Sequence, residues 1–161
     1  HSGDWSSDVC SSDLEALPLA LSVGTWLLAQ TGWPGDRLAV ALAADGDDGA
    51  LDAAGAALRD DDVPTALIVV ADGSAARSEK APAHLHPGAE AFDTAVAAAL
   101  ALGDPAVLAA IDASVALEVT AAGRPAWRAA AAALAGTTYD AVLLADTAPY
   151  GVGYFAAAWT P

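Results

Sequence analysis

Apolar and polar positions along the chain change period several times, and each change marks an element. From Leu17 to Gln30 the text is almost continuously apolar, and Thr31-Gly32 supplies a stop, which predicts a helix. Pro18, Ser22, Gly24 and Thr25 interrupt that run, so it suits a buried helix better than a membrane span. Asp36 to Asp45, "DRLAVALAAD", reads as a short strand. In "DGALDAAGAALRDDD", Leu51, Ala54 and Leu58 fall at i, i+3 and i+7, one face of a helix. Ala66 to Ala71, within "TALIVVADGS", is unbroken and β-branched, as a strand buried on both faces should be. Strand, helix, strand in this order predicts a βαβ unit with parallel strands and a right-handed crossover.

A polar loop follows, Asp72 to Gly88, and then helical periods. Glu90 to Leu102 carries Phe92, Val96 and Leu100 on one face. Asp104-Pro105 is an N-cap followed by proline at the first helical position. Val115, Val119 and Ala122 give another helical face, ended by Gly123. Pro125 opens a helix with Trp127, Ala131 and Leu134 on one stripe and Gly136 at its close. "YDAVLLAD" and "GVGYFAAAW", joined by "TAPYG", read as a closing hairpin or close neighbour pair. The pattern predicts an α/β fold, a mixed and mostly parallel sheet flanked by helices, in one domain over residues 15–161.

The first fourteen residues follow no such period. Back-translated, Asp4 to Leu14, "DWSSDVCSSDL", resembles one reading frame of a common short-read sequencing adapter. Residues 1–14 are therefore expected to be a non-native, disordered scar, with the N-terminal part of the domain missing ahead of Glu15. Cys10, the chain's one cysteine, lies in the scar, which removes disulfides and thiol chemistry from consideration. Asp4, Asp8 and Asp13 go with it, yet a chain of formal net charge −15 stays strongly acidic. Such a surface repels nucleic acid and anionic membranes. No Lys or Arg precedes Arg37, so no secretory signal is recognised and a cytoplasmic location is expected. The abundance of alanine suggests coding bias, so Leu, Val, Ile and the aromatics are the better core markers.

Candidate chemistry gathers in residues 69–92, "VVADGSAARSEKAPAHLHPGAEAF", at the carboxyl end of the strongest predicted strand, where α/β sheets tend to bind ligands. Asp72, Ser74, Arg77, Glu79, Lys80, His84 and His86 lie there. A solvated loop with Asp72-Gly73 as a turn explains the same text. His84 and His86 form His-x-His, a possible metal pair, but Pro82 and Pro87 bracket them and two exposed loop histidines fit better. Ser74 lacks the G-x-S-x-G elbow of a hydrolase, and "PYGVGY" lacks the third glycine of a nucleotide fingerprint. Glu118, in "ALEVTAAGRPAW", is by itself an ordinary exposed helix acid.

Together "LPLALSVGTWLL", "ADGSAARSEKAP", "AEAFDTAVAAAL", "EVTAAGRPAW" and "APYGVGYFAAAWTP" resemble, in the same order, the C-terminal part of class III extradiol ring-cleavage dioxygenases of the LigB superfamily, in a divergent bacterial branch. The resemblance implies non-haem Fe(II) held by two histidines and one glutamate, a catechol-type aromatic substrate, and a separate histidine as base. The family's base histidine follows a serine just after a strand; here Ala75 follows Ser74, and alanine moves no proton. The family's metal-binding glutamate lies in a text like "EVTAAGRPAW", which makes Glu118 the candidate metal ligand. Its histidine ligands belong to the N-terminal part of the family.

The expectation is thus a fragment of an extradiol dioxygenase-like protein, inactive as it stands and binding no iron. The candidate catalytic residues are Asp72, Ser74 and His84, with Glu118 for metal. The alternatives are a non-catalytic binding module on the same fold, with Arg77 and Lys80 contacting an anion, and a hydrolase built on Ser74. An incomplete sheet should also leave an apolar face uncovered.

Overall fold

A computed structural model of the chain describes residues 17–59 and 63–161. The predicted scar and the acidic run Asp60–Asp62 lie outside the described residues. The chain divides into two compact units, one ending at Ala41 and one running from Leu42 to Pro161. The boundary falls inside the first predicted strand.

In the first unit, helix α1 (Leu19–Thr31) ends at Gly32, whose φ of 64° is the left-handed cap that glycine adopts without strain. The helix was expected to be buried, but none of its residues is, and Leu19 and Trp26 are largely exposed. It is apolar all round and so presents no preferred face for packing.

The second unit is built on helices α2 (Asp48–Ala57), α3 (Ala89–Leu102), α4 (Pro105–Ala109), α5 (Ala113–Glu118) and α6 (Arg124–Leu134). It closes with strands β1 (Asp140–Thr147) and β2 (Tyr154–Thr160). Aspartates start three of the helices. Asp47 accepts the Ala50 N–H, Asp104 the Ala106 N–H, and Asp112 those of Ser114 and Val115. Pro105 occupies the first helical position, as its spacing from Asp104 predicts. α3 ends on Gly103 at φ 65°.

β1 and β2 pair antiparallel, with Asp140 opposite Thr160 and Thr147 opposite Tyr154, and an irregularity between Leu143 and Ala145. A 3₁₀ turn, Pro149–Gly151, joins them. Phe155 and Trp159 on one face of β2 pack against the helices, and the Trp159 Nε1–H donates to the Leu100 carbonyl at 2.7 Å. Phe92 and Val96 of α3, Leu108 of α4, Val119 just after α5 and Trp127 of α6 make the centre of the core. Trp127 lies between Phe92 and Phe155, with ring centroids 6.5 Å from each.

The fold is mixed helix and strand, but it is not a mostly parallel sheet flanked by helices. Among the described residues the sheet is the two-stranded hairpin alone. The predicted strands at Asp36–Asp45 and Ala66–Ala71 form no ladder, so the parallel βαβ unit is absent. Apolar, β-branched sequence favours an extended chain, but a strand exists only where a neighbour takes its backbone hydrogen bonds. Among the described residues Ala66–Ala71 has no such neighbour, and Leu67, Ile68 and Val69 are exposed rather than buried on both faces. The helix predicted to run on to Gly123 also stops early. α5 ends at Glu118 because Thr120 turns left-handed, at φ 55°.

Candidate functional site

The loop that follows residue 71 plunges into the second unit, with Gly73, Ser74 and Ala76 buried. It is tied by backbone hydrogen bonds to three other segments. Gly73 N–H donates to the Gly153 carbonyl at 3.1 Å, Gly153 N–H to the Ser74 carbonyl at 2.8 Å, and Arg77 N–H to the Gly151 carbonyl at 3.0 Å. Ala75 N–H donates to the Val119 carbonyl, while Ala83 and His86 donate to the carbonyls of Ala75 and Ala76. The residues next to His84 and Glu118 therefore flank Ala75 on either side.

Beneath this knot lies Asp93 of α3, 1% exposed. Its Oδ1 accepts the Ser74 N–H at 2.9 Å and its Oδ2 accepts the Ser74 hydroxyl at 2.7 Å. The Arg77 guanidinium stands 3.7 Å from the same carboxylate and 3.5 Å from Glu90. A buried carboxylate is costly unless hydrogen-bonded and charge-compensated, and Asp93 has both. Gly153 is required here, since a Cβ on it would sit 2.5 Å from Asp93 Oδ2.

Backbone strain collects around the same loop. Among the described residues, the non-glycine positions with left-handed φ are His84 at 59°, Thr120 at 55° and Tyr150 at 57°. Each costs of order 1–2 kcal/mol relative to an ordinary conformation. His84 follows Ala83, Thr120 follows Val119, and Tyr150 precedes Gly151. Each of those three neighbours hydrogen-bonds to the 75–77 backbone. Non-glycine strain of this kind concentrates at ligand clamps and active sites, where surrounding structure holds it in place.

The sequence-predicted residues occupy distinct places in this arrangement. Asp72 has an exposed side chain, and its carbonyl accepts the Gly123 N–H at 3.0 Å. Ser74 is fully buried with its hydroxyl committed to Asp93, so it presents no nucleophile to solvent. His84 is exposed at the rim, and His86 accepts the Gly88 N–H on Nδ1 at 3.1 Å. Glu118 is exposed at the end of α5. No group of three His, Cys, Asp or Glu that could hold a metal ion occurs among the described residues. Sequence reasoning missed Asp93. Its signal was legible, because an acid beside Phe92, three and four residues before Val96 and Ala97, falls on the apolar face of α3.

A second feature is an open concavity of about 410 Å³ lined by Asp48, Ile111, Asp112, Ser114, Arg124 and Arg128. Its arginines are saturated. Arg128 grips Asp52 through two 2.6 Å bonds and reaches Asp48 at 3.1 Å, while Arg124 holds Asp48 at 2.6 Å and donates to the Ile111 carbonyl. The hydrogen bond from Arg128 keeps the Asp52 carboxyl below its usual range, and Asp52 in turn raises Arg128. The Ser114 hydroxyl, with the Val115 and Ser114 amides, lowers Asp112. These groups clamp α2 to α6 and leave little for a ligand.

No family model, no curated protein and no solved structure matches the chain. No helix among the described residues is long and apolar enough to cross a membrane.

Proposed function

We propose that the chain carries the C-terminal part of an extradiol dioxygenase-like domain and that, as it stands, it does not cleave catechols. The observation that carries this reading is the hydrogen-bonded position of Ala75 between the neighbours of Glu118 and His84. The motif resemblance puts the family's base at Ala75 and its metal carboxylate at Glu118. The loop knot draws those two positions together.

The described residues do not fit Fe(II). Two histidines and a carboxylate are needed on one face of the metal, and no such group is present among them. Nor does the loop supply a base at Ala75, and loss of a positioned base alone costs roughly a hundredfold or more. A non-catalytic binding role on the same fold is the activity that remains for the loop cluster. Asp93 and Ser74 would then hold the loop in shape rather than react.

Two measurements test this. The chain incubated with Fe(II), catechol or protocatechuate and O2 should consume no oxygen and give no ring-opened absorbance; iron-dependent turnover would overturn the claim of inactivity. The genomic reading frame ahead of Glu15 tests the family assignment. Paired histidines in strand-end loops would support it, and a frame without them would sink iron-dependent ring cleavage for the parent protein as well.

A further inference from the structure

We infer that Arg77 is the anchor of a binding site for a small monoanionic carboxylate at the mouth of the loop knot. The inference takes from the preceding reading only the location of the site. Arg77 differs from the other arginines of the second unit in how its donors are used. Arg124 and Arg128 hold carboxylate oxygens at 2.6 Å, and the Arg59 side chain donates to the Ala135 carbonyl at 2.7 Å. The nearest acid oxygens to Arg77 stand at 3.5 and 3.7 Å, outside good hydrogen-bond geometry. A guanidinium has five N–H donors in a planar fork that matches a carboxylate. Its side chain is 23% exposed, so it is held in place by the protein yet reachable from solvent.

The two neighbouring acids have different parts. Asp93 is buried and both its oxygens already accept from Ser74, so it fixes Arg77 without using up the fork. Glu90 is 80% exposed, and an ion pair so hydrated is weak. A ligand carboxylate can replace it at little cost. The backbone of Arg77 is pinned to Gly151, beside left-handed Tyr150, which keeps the fork oriented. Two acids close by, on a chain of net charge −15, disfavour a dianion such as phosphate. The same repulsion is smaller for a monoanion, and displacement of Glu90 from Arg77 reduces it further.

The test is an NMR titration of the full chain with acetate at constant ionic strength, needing neither iron nor oxygen, so its failure is separable from that of the ring-cleavage reading. Saturable shifts should appear at Arg77 Nε and at the amides of Ala75, Arg77 and Gly151. Arg77→Gln should weaken binding by about tenfold or more. Arg77→Lys, which keeps Asp93 compensated but lacks the fork, should weaken it several-fold. Glu90→Gln, a surface change, should tighten it several-fold by removing the competing carboxylate. No saturable shift would overturn the inference. So would unchanged affinity in Arg77→Lys, no tightening in Glu90→Gln, or inorganic phosphate binding more tightly than acetate.

Discussion

At the scale of single residues, Asp93 decides more than any group the sequence advertised. Its carboxylate receives the N–H and O–H of Ser74 and balances Arg77. Asp93→Ala should therefore lose about 3–5 kcal/mol of stability, because two buried donors and a cation lose their partner together. Ser74→Ala should cost less, about 1–2 kcal/mol, since the backbone N–H of residue 74 still reaches Asp93. Urea unfolding of both variants measures the order, and a Ser74 variant weaker than the Asp93 variant would refute this division of roles. Ser74 and Asp72 were legible as members of the site loop. That Ser74 is a donor locked inward rather than a nucleophile was not, because its partner lies on another element 19 residues away.

At the scale of elements, helix starts and stops were written locally and came out as read at Gly32, Leu102 and Asp104-Pro105. The close packing of α2 on α6 was not. Discounting alanine as a core marker missed it, for Ala129, Ala130 and Ala131 are buried, and Gly55 lies so near the Ala129 carbonyl that a Cβ would collide with it. Small residues here allow two backbones to approach. Gly55→Ala should therefore destabilise by about 1–3 kcal/mol despite its better helix propensity. Thermal unfolding should show a lowered Tm; an unchanged or raised Tm would mean the helices can part freely.

The α2–α6 clamp and the cap of α5 together set an acid limit. Asp52 and Asp112 are held below the ordinary aspartate value of 3.8, so the stability they contribute is present above that value and lost as pH falls through their lower folded values. The Asp52 side chain is 45% exposed, and salt should weaken its share. Melting temperatures from about pH 5 to about pH 2 should fall in the acid limb, and Asp52→Asn should flatten that fall. An identical acid limb in Asp52→Asn would remove the Arg128 clamp as its cause.

At the scale of the whole molecule, the second unit leaves much apolar surface in water. Leu67, Ile68 and Val69 lie along a segment with no ladder among the described residues, and Val142 and Leu144 along the outer face of β1. The native protein should therefore bind ANS with enhanced fluorescence. Val142→Thr with Leu144→Thr should reduce that signal with little loss of stability, because neither side chain is buried. A native protein that leaves ANS fluorescence unchanged would contradict the exposure of these faces.

What the sequence determined by itself is local: helix limits at capping aspartates and glycines, the closing hairpin with its proline-glycine turn, and the loop in which candidate chemistry gathers. Such features depend on neighbours a few residues away. The tertiary structure alone decided which apolar segments pair and which protein groups Ser74 and Arg77 meet. Ala66–Ala71 has the composition of a central strand and lacks a ladder among the described residues, because pairing needs a second backbone that composition cannot supply. Ala75 meets the neighbours of Glu118 and His84 only once Val119 and Ala83 have closed onto it through their backbones.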